Sequence, residues 1–84
     1  MSFLIGHESV ARVRLLLSLT KISSDDVIEA VYHHLCNGFQ VDTAALLSDV
    51  EPGSLSRAVK KLSAINDIVE KIKESDWHHI NKNS

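Results

Sequence analysis

Beyond its single proline, Pro52, the chain repeats apolar residues at positions 55, 58, 59, 62, 65, 68, 69 and 72, the three- and four-residue interval of an α-helix. That period is incompatible with a strand, whose faces alternate every second residue. Pro52 suits the first helical position, where its missing N–H costs nothing and its fixed φ is already helical, with Glu51 as an acidic N-cap. The pattern predicts helix to about Lys73. Asn66-Asp67 could cap a fresh start, so residues 54 to 73 are expected as one helix or two, and 75–84 as a frayed polar tail.

Upstream the same period recurs. Residues 8 to 19 carry Val10, Val13, Leu16, Leu17 and Leu19 around Arg12 and Arg14, one amphipathic helix that Thr20 to Ser24 interrupts. Ser23 with Asp26 three residues on resembles a capping box, and with Asp25 gives the acidic first turn that a helix dipole favours. The buried face of this second helix is predicted as Val27, Ile28, Val31, Leu35 and Cys36. Asn37-Gly38 closes it, since both residues tolerate the left-handed conformation. Asp42 to Ser48, with Ala44, Ala45, Leu46 and Leu47, predicts a short third helix, and no segment alternates well enough for a strand. The expected fold is all-α, a small bundle of four to five helices.

At 84 residues the chain has room for one domain, residues 1–84. A domain this small buries only about 60–65% of the surface its unfolded form exposes, so stabilisation by a partner or a second copy is expected. One cysteine, Cys36, allows no internal disulfide and suits a reducing compartment. No apolar run approaches the roughly 20 residues that span a bilayer, and the opening residues lack a basic leader, so a cytoplasmic protein without membrane contact is expected.

Two short helices joined by a tight turn, residues 42 to 48 and 52 to 63, have the size of a helix-turn-helix. Ala44 and Ala45 supply the small residues that close packing requires, Val50 plugs the corner, and Leu55, Ala58, Val59 and Leu62 turn inward. Asp49 occupies the turn position where glycine is usual. The outward face is then Gly53, Ser54, Ser56, Arg57, Lys60, Lys61 and Ala64, and it contains no acid. Ser54 and Ser56 sit where small hydroxyls and free N–H groups can meet phosphate or base edges. Arg57 can address a base edge bidentately, and Lys60 and Lys61 suit phosphates. Gln40 and Thr43 are candidate clamps on the DNA backbone. The competing reading is a solvated basic face on a helical hairpin. The whole chain has a net charge of −2, yet residues 54–65 hold three bases and no acid. This favours one docking orientation over indiscriminate attraction.

The run from Leu15 to about Ile72 resembles the PapB family of small bacterial regulators of fimbrial adhesin operons. The likeness rests on Leu-Leu-Ser-Leu-Thr-Lys-Ile-Ser-Ser-Asp-Asp-Val-Ile at 16 to 28, on Leu35, Gly38 and Ala44, and on the ungapped segment from Val50 to Leu62 with its Pro-Gly, Ser56 and Lys60. Plasmid repressors of the TrfB/KorA type are similar from Gly38 through the second helix of the motif. The resemblance to PapB implies a helix-turn-helix regulator that binds A/T-rich repeats near pilus promoters, double-stranded DNA being its partner, and does so as an oligomer.

Positions 55, 58, 62, 65, 69 and 72 also trace a heptad-like seam. Under three heptads it is too short for an autonomous coiled coil, so it reads as a helix packed on its own core or as a partly intermolecular seam through Ile65, Ile68, Val69 and Ile72. The first helix and Phe3-Leu4-Ile5 are rival association surfaces. His33-His34 and His78-His79 diverge by about 100° per residue on a helix, which is poor chelating geometry, so no metal site is expected. His33 and His34 read as exposed or boundary residues, and Cys36 as a small core residue rather than a reactive thiolate. No phosphate loop or nucleophilic constellation appears, so neither enzyme activity, a cofactor nor a small-molecule substrate is expected. A helical protein-interaction module that does not bind DNA is the alternative function.

Overall fold

The computed structural model describes residues 3–83, with side chains from Phe3 to Ser75. All its regular elements are helices: α1 Val10–Ser18, α2 Asp25–Leu35, α3 Val41–Leu47 and α4 Pro52–Asn83, with no strand among the described residues.

Each boundary has a local cause. Ser9 caps α1 by accepting from the Arg12 N–H at 3.1 Å. Beyond α1 the Thr20 hydroxyl donates to Leu17 O at 2.7 Å and accepts from Ile22 N–H at 3.2 Å, which turns the chain out of the helix. Ser24, not Ser23, caps α2; it is the extended residue and its hydroxyl accepts from Val27 N–H at 3.5 Å. Asp25 and Asp26 then occupy the first turn, as the sequence led us to expect. Gly38 adopts a φ of +84°, so the Asn37-Gly38 stop operates through glycine.

The turn from α3 into α4 closes with two hydrogen bonds. Val50 N–H returns to Ala45 O at 2.9 Å and Asp49 N–H to Leu46 O at 3.2 Å, the paired pattern of a Schellman motif. That pattern needs a left-handed residue between them, and Asp49 supplies it at φ 56°. Glu51 O accepts from Ser54 N–H and Leu55 N–H at 3.0 and 3.2 Å, so α4 starts at Pro52.

From there α4 is one helix of 32 residues. Asn66-Asp67 starts nothing new, because Asn66 is buried and its side chain is engaged by Arg12. The expected fraying of 75–84 gives way to helix as far as Asn83; no proline or glycine follows Gly53 to stop it. The proposed roles of Trp77, His78 and His79 lie outside the described side chains.

The core unites Val13, Leu16 and Leu17 of α1, Ala30, Val31 and Leu35 of α2, Ala44 and Ala45 of α3, and Leu55, Ala58 and Leu62 of α4, together with Phe3. Helix α4 packs against each of the other three, whereas α1 and α3 share no close approach. The opening segment lies over the end of α2, where Gly6 N–H and Glu8 N–H both donate to Leu35 O at 2.9 and 3.2 Å. Gly6, at φ +83°, passes so near Gly38 that a Cβ on it would meet Gly38 Cα at 2.9 Å.

Two expectations about side chains change, for α1 and for His34: Val10 and Leu19, counted on the apolar face of α1, are both exposed near its ends. Leu46 and Leu47 point outward, 79% and 52% exposed, because α3 packs through its two alanines and leaves the bulkier side chains outside. His34 is buried rather than at the boundary, its Nδ1 2.7 Å from Phe39 O, where an Nδ1–H tautomer donates. No helix among the described residues is long and apolar enough to cross a membrane.

Candidate nucleic-acid interface

Register on α4 fixes the site. Leu55, Ala58 and Leu62 are sealed in the core and Val59 packs against it, so the residues between them must face away. Gly53, Ser56, Arg57, Lys60, Lys61 and Ala64 are all exposed, and Ser54 is half-buried. The structure therefore gathers the α4 residues singled out from sequence onto one side of one helix. Gln40 and Thr43 are exposed at the beginning of α3, which the Schellman turn holds beside the start of α4. Gln40 is the N-cap residue of α3 and makes no side-chain cap hydrogen bond.

Arg57 donates from Nη2 to Ser54 Oγ at 3.4 Å, one turn back along the helix. Gly53 lies beneath this guanidinium; a Cβ there would sit 3.8 Å from Arg57 Nη1, an ordinary contact. Arg57, Lys60 and Lys61 form no ion pair among the described residues. The other cation of note behaves differently: Arg12 is bound to Asn66 and to Glu70 Oε1, the latter at 2.5 Å, and works inside the protein. So the three bases near the start of α4 are available to an external anion, and the first-turn N–H groups of a helix add partial positive charge.

Acidic groups border this face without entering it. Asp42, Asp49 and Glu51 are exposed on α3 and in the turn, and residues 52–65 contain none. An extended polyanion lying along α4 meets attraction, while on the α3 side the neutral Gln40 and Thr43 flank the acidic Asp42.

The seam residues divide. Ile65 and Val69 pack against the core, as a helix resting on its own bundle requires. Ile68 and Ile72 are 58% and 56% exposed. Nothing in the sequence pattern separated these two pairs, because a stripe that wide can serve either purpose.

Cys36 is half-buried, and burial pushes its thiol up from the ordinary value, with the Glu8 carboxylate adding to the effect. That environment opposes a thiolate nucleophile.

No family model, curated protein or solved structure matches this chain.

Proposed function

We propose that this chain is a sequence-specific DNA-binding regulator of transcription in which α3, the turn at Asp49 and the start of α4 act as a helix-turn-helix. The observation that carries the reading is the acid-free exposed face bearing Arg57, Lys60 and Lys61, which begins at a helix N-terminus with Ser54 and Ser56. In this reading Arg57 addresses a base edge, Lys60 and Lys61 neutralise phosphates, and Gln40 and Thr43 hold the sugar-phosphate backbone on the side of α3. The protein acts by binding, without cofactor or catalysis, in the cytoplasm at the nucleoid. The resemblance to PapB regulators adds the expected target, A/T-rich repeats at fimbrial adhesin promoters, and occupancy by a dimer or larger array. Weak single-copy binding summed over neighbouring sites would make occupancy rise steeply with protein concentration.

The deciding experiment is a mobility shift on A/T-rich promoter DNA. Arg57→Ala with Lys60→Ala should abolish the shift, and undiminished binding by this double variant would sink the assignment of α4 as the reading helix.

A second reading, a helical interaction module that binds no DNA, is favoured by the exposed Leu46 and Leu47 among Asp42, Asp49 and Glu51. Failure to bind DNA even at low ionic strength would select it.

A further inference from the structure

The two candidate clamps at the start of α3 are held in different ways. Ala44 and Ala45 are sealed in the core, and Thr43 adjoins them in the chain. Gln40 stands ahead of the first turn, exposed and without a side-chain cap hydrogen bond. What places Gln40 must therefore lie upstream, in the loop that joins α2 to α3.

That loop is held residue by residue. Gly38 lies against Gly6; a Cβ on Gly38 would meet Gly6 Cα at 3.4 Å. Phe39 N–H donates to His33 O at 3.1 Å, and the Phe39 ring meets the His33 imidazole edge-on with centroids 5.9 Å apart. Phe39 O lies 2.7 Å from Nδ1 of the buried His34. A carbonyl can only accept, so Nδ1 carries the proton and donates. Packing alone would be served at position 34 by an apolar side chain, as it is at the neighbouring Ala30, Val31 and Leu35. The imidazole adds a donor on a short, stiff stem.

The peptide between Phe39 and Gln40 is planar, so holding its C=O also holds the plane that contains Gln40 N and Cα. Gln40 leaves that plane in an extended conformation, φ −63° and ψ 157°, and leads into α3. We propose that His34 is a positioning residue for DNA: through the Phe39 carbonyl it sets where Gln40 meets the sugar-phosphate backbone, without touching DNA itself. The inference rests on the DNA-binding reading and adds to it a residue of α2, outside the helix-turn-helix. Thr43 supplies the contrast, because its place follows from the core alanines beside it and not from the Phe39 peptide.

The test is a double-mutant cycle read as affinity for A/T-rich promoter DNA. Gln40→Ala and Thr43→Ala should each weaken binding by about two- to tenfold, the value of one neutral hydrogen bond. His34→Leu should weaken it by a similar factor. The slope of log affinity against log salt should stay unchanged, because Gln40 carries no charge. Combined with Gln40→Ala, His34→Leu should cost less than about twofold more; combined with Thr43→Ala, its full factor should return. His34→Asn, whose amide nitrogen stands as many bonds from the backbone as Nδ1, should restore affinity. His34→Gln, with its donor one bond further out, should not. Far-UV circular dichroism checks that each variant is folded, and His34→Gln replaces the leucine variant in the cycle if leucine does not fold. Nitrogen-15 NMR of the natural chain provides a measurement free of mutation, and should show His34 as the Nδ1–H tautomer.

An Nε2–H tautomer at His34 overturns the proposal, as does undiminished binding by Gln40→Ala. Equal losses on the two clamp backgrounds also overturn it, since a histidine needed only for folding would give that result. A natural chain that fails to bind DNA sinks the DNA reading and this inference together. Binding by the natural chain with no coupling between His34 and Gln40 sinks this inference alone.

Discussion

Arg12 of α1 donates through Nη2 to Oδ1 of Asn66 on α4, 54 residues away, and the same nitrogen holds Glu70 Oε1 at 2.5 Å. Since α1 and α3 do not touch, this is the main polar tie between the first helix and the helix that carries the candidate interface. Arg12→Ala leaves the buried Asn66 amide oxygen without its donor, which should cost about 1–3 kcal/mol in urea unfolding. Arg12→Lys should recover only part of that loss, since an ammonium lacks the planar fork.

Acid should loosen the same tie. The hydrogen bond from Arg12 holds the Glu70 carboxyl below the usual glutamate range against an opposing effect of burial, with the charges of Lys73 and Arg12 assisting. The folded value therefore lies below the unfolded one. The contribution is complete above the ordinary glutamate range and fades as pH falls through the lowered value. Unfolding midpoints measured down the acid limb should fall less steeply for Glu70→Gln than for the natural chain. Parallel curves would contradict the assignment.

At Asp49 the left-handed backbone is required by the two hydrogen bonds of the turn, not by its side chain. Asp49→Gly should stabilise the fold by up to about 1 kcal/mol, and Asp49→Val should destabilise it by about 1–2 kcal/mol. The glycine variant also removes an acid from the border of the basic face. Its DNA affinity at low salt should therefore rise.

Gly6 has both a left-handed φ and Gly38 against it, so Gly6→Ala should cost about 1–3 kcal/mol through backbone strain. Detachment of the opening segment should follow, detectable as faster amide exchange at Gly6 and Glu8, whose N–H groups are otherwise held by Leu35 O. Unchanged exchange would mean that the crossing does not anchor the segment.

On DNA, Lys60→Ala and Lys61→Ala should each flatten the salt dependence of binding by about 0.9 in log–log slope while lowering affinity for all sequences alike. Arg57→Ala should instead narrow the gap between A/T-rich and random DNA. A change of preference with either lysine would assign the base contact to the wrong residue.

Local signals were legible wherever one residue determines one backbone state. Pro52 starts α4, Gly38 takes positive φ beyond α2, and Asp49 takes it where glycine was the usual expectation. The inward and outward sides of α4 near Arg57 also followed from spacing alone. What depended on packing between distant segments did not. The Arg12 tie joins residues far apart in sequence, and no pattern marks Arg12 as internal while Arg14 stays exposed. On α3 the two alanines were legible as the packing residues, whereas the exposure of Leu46 and Leu47 beside them was not. His34 read as an exposed or boundary residue, and what buries it is a partner outside its own helix, the Phe39 carbonyl.

The unbroken α4 is also a ruler. Arg57 and Ile72 stand 15 residues apart on one helix, about 22 Å, with no proline or glycine to bend it between them. The DNA repeat is about 34 Å. Any partner held at Ile72 would stand at a distance from Arg57 that this rod fixes. One residue inserted after Glu70, beyond which residues 71–75 are exposed, would turn Ile72 by about 100° relative to Arg57. The core contacts of α4, which end at Val69, would be left in place.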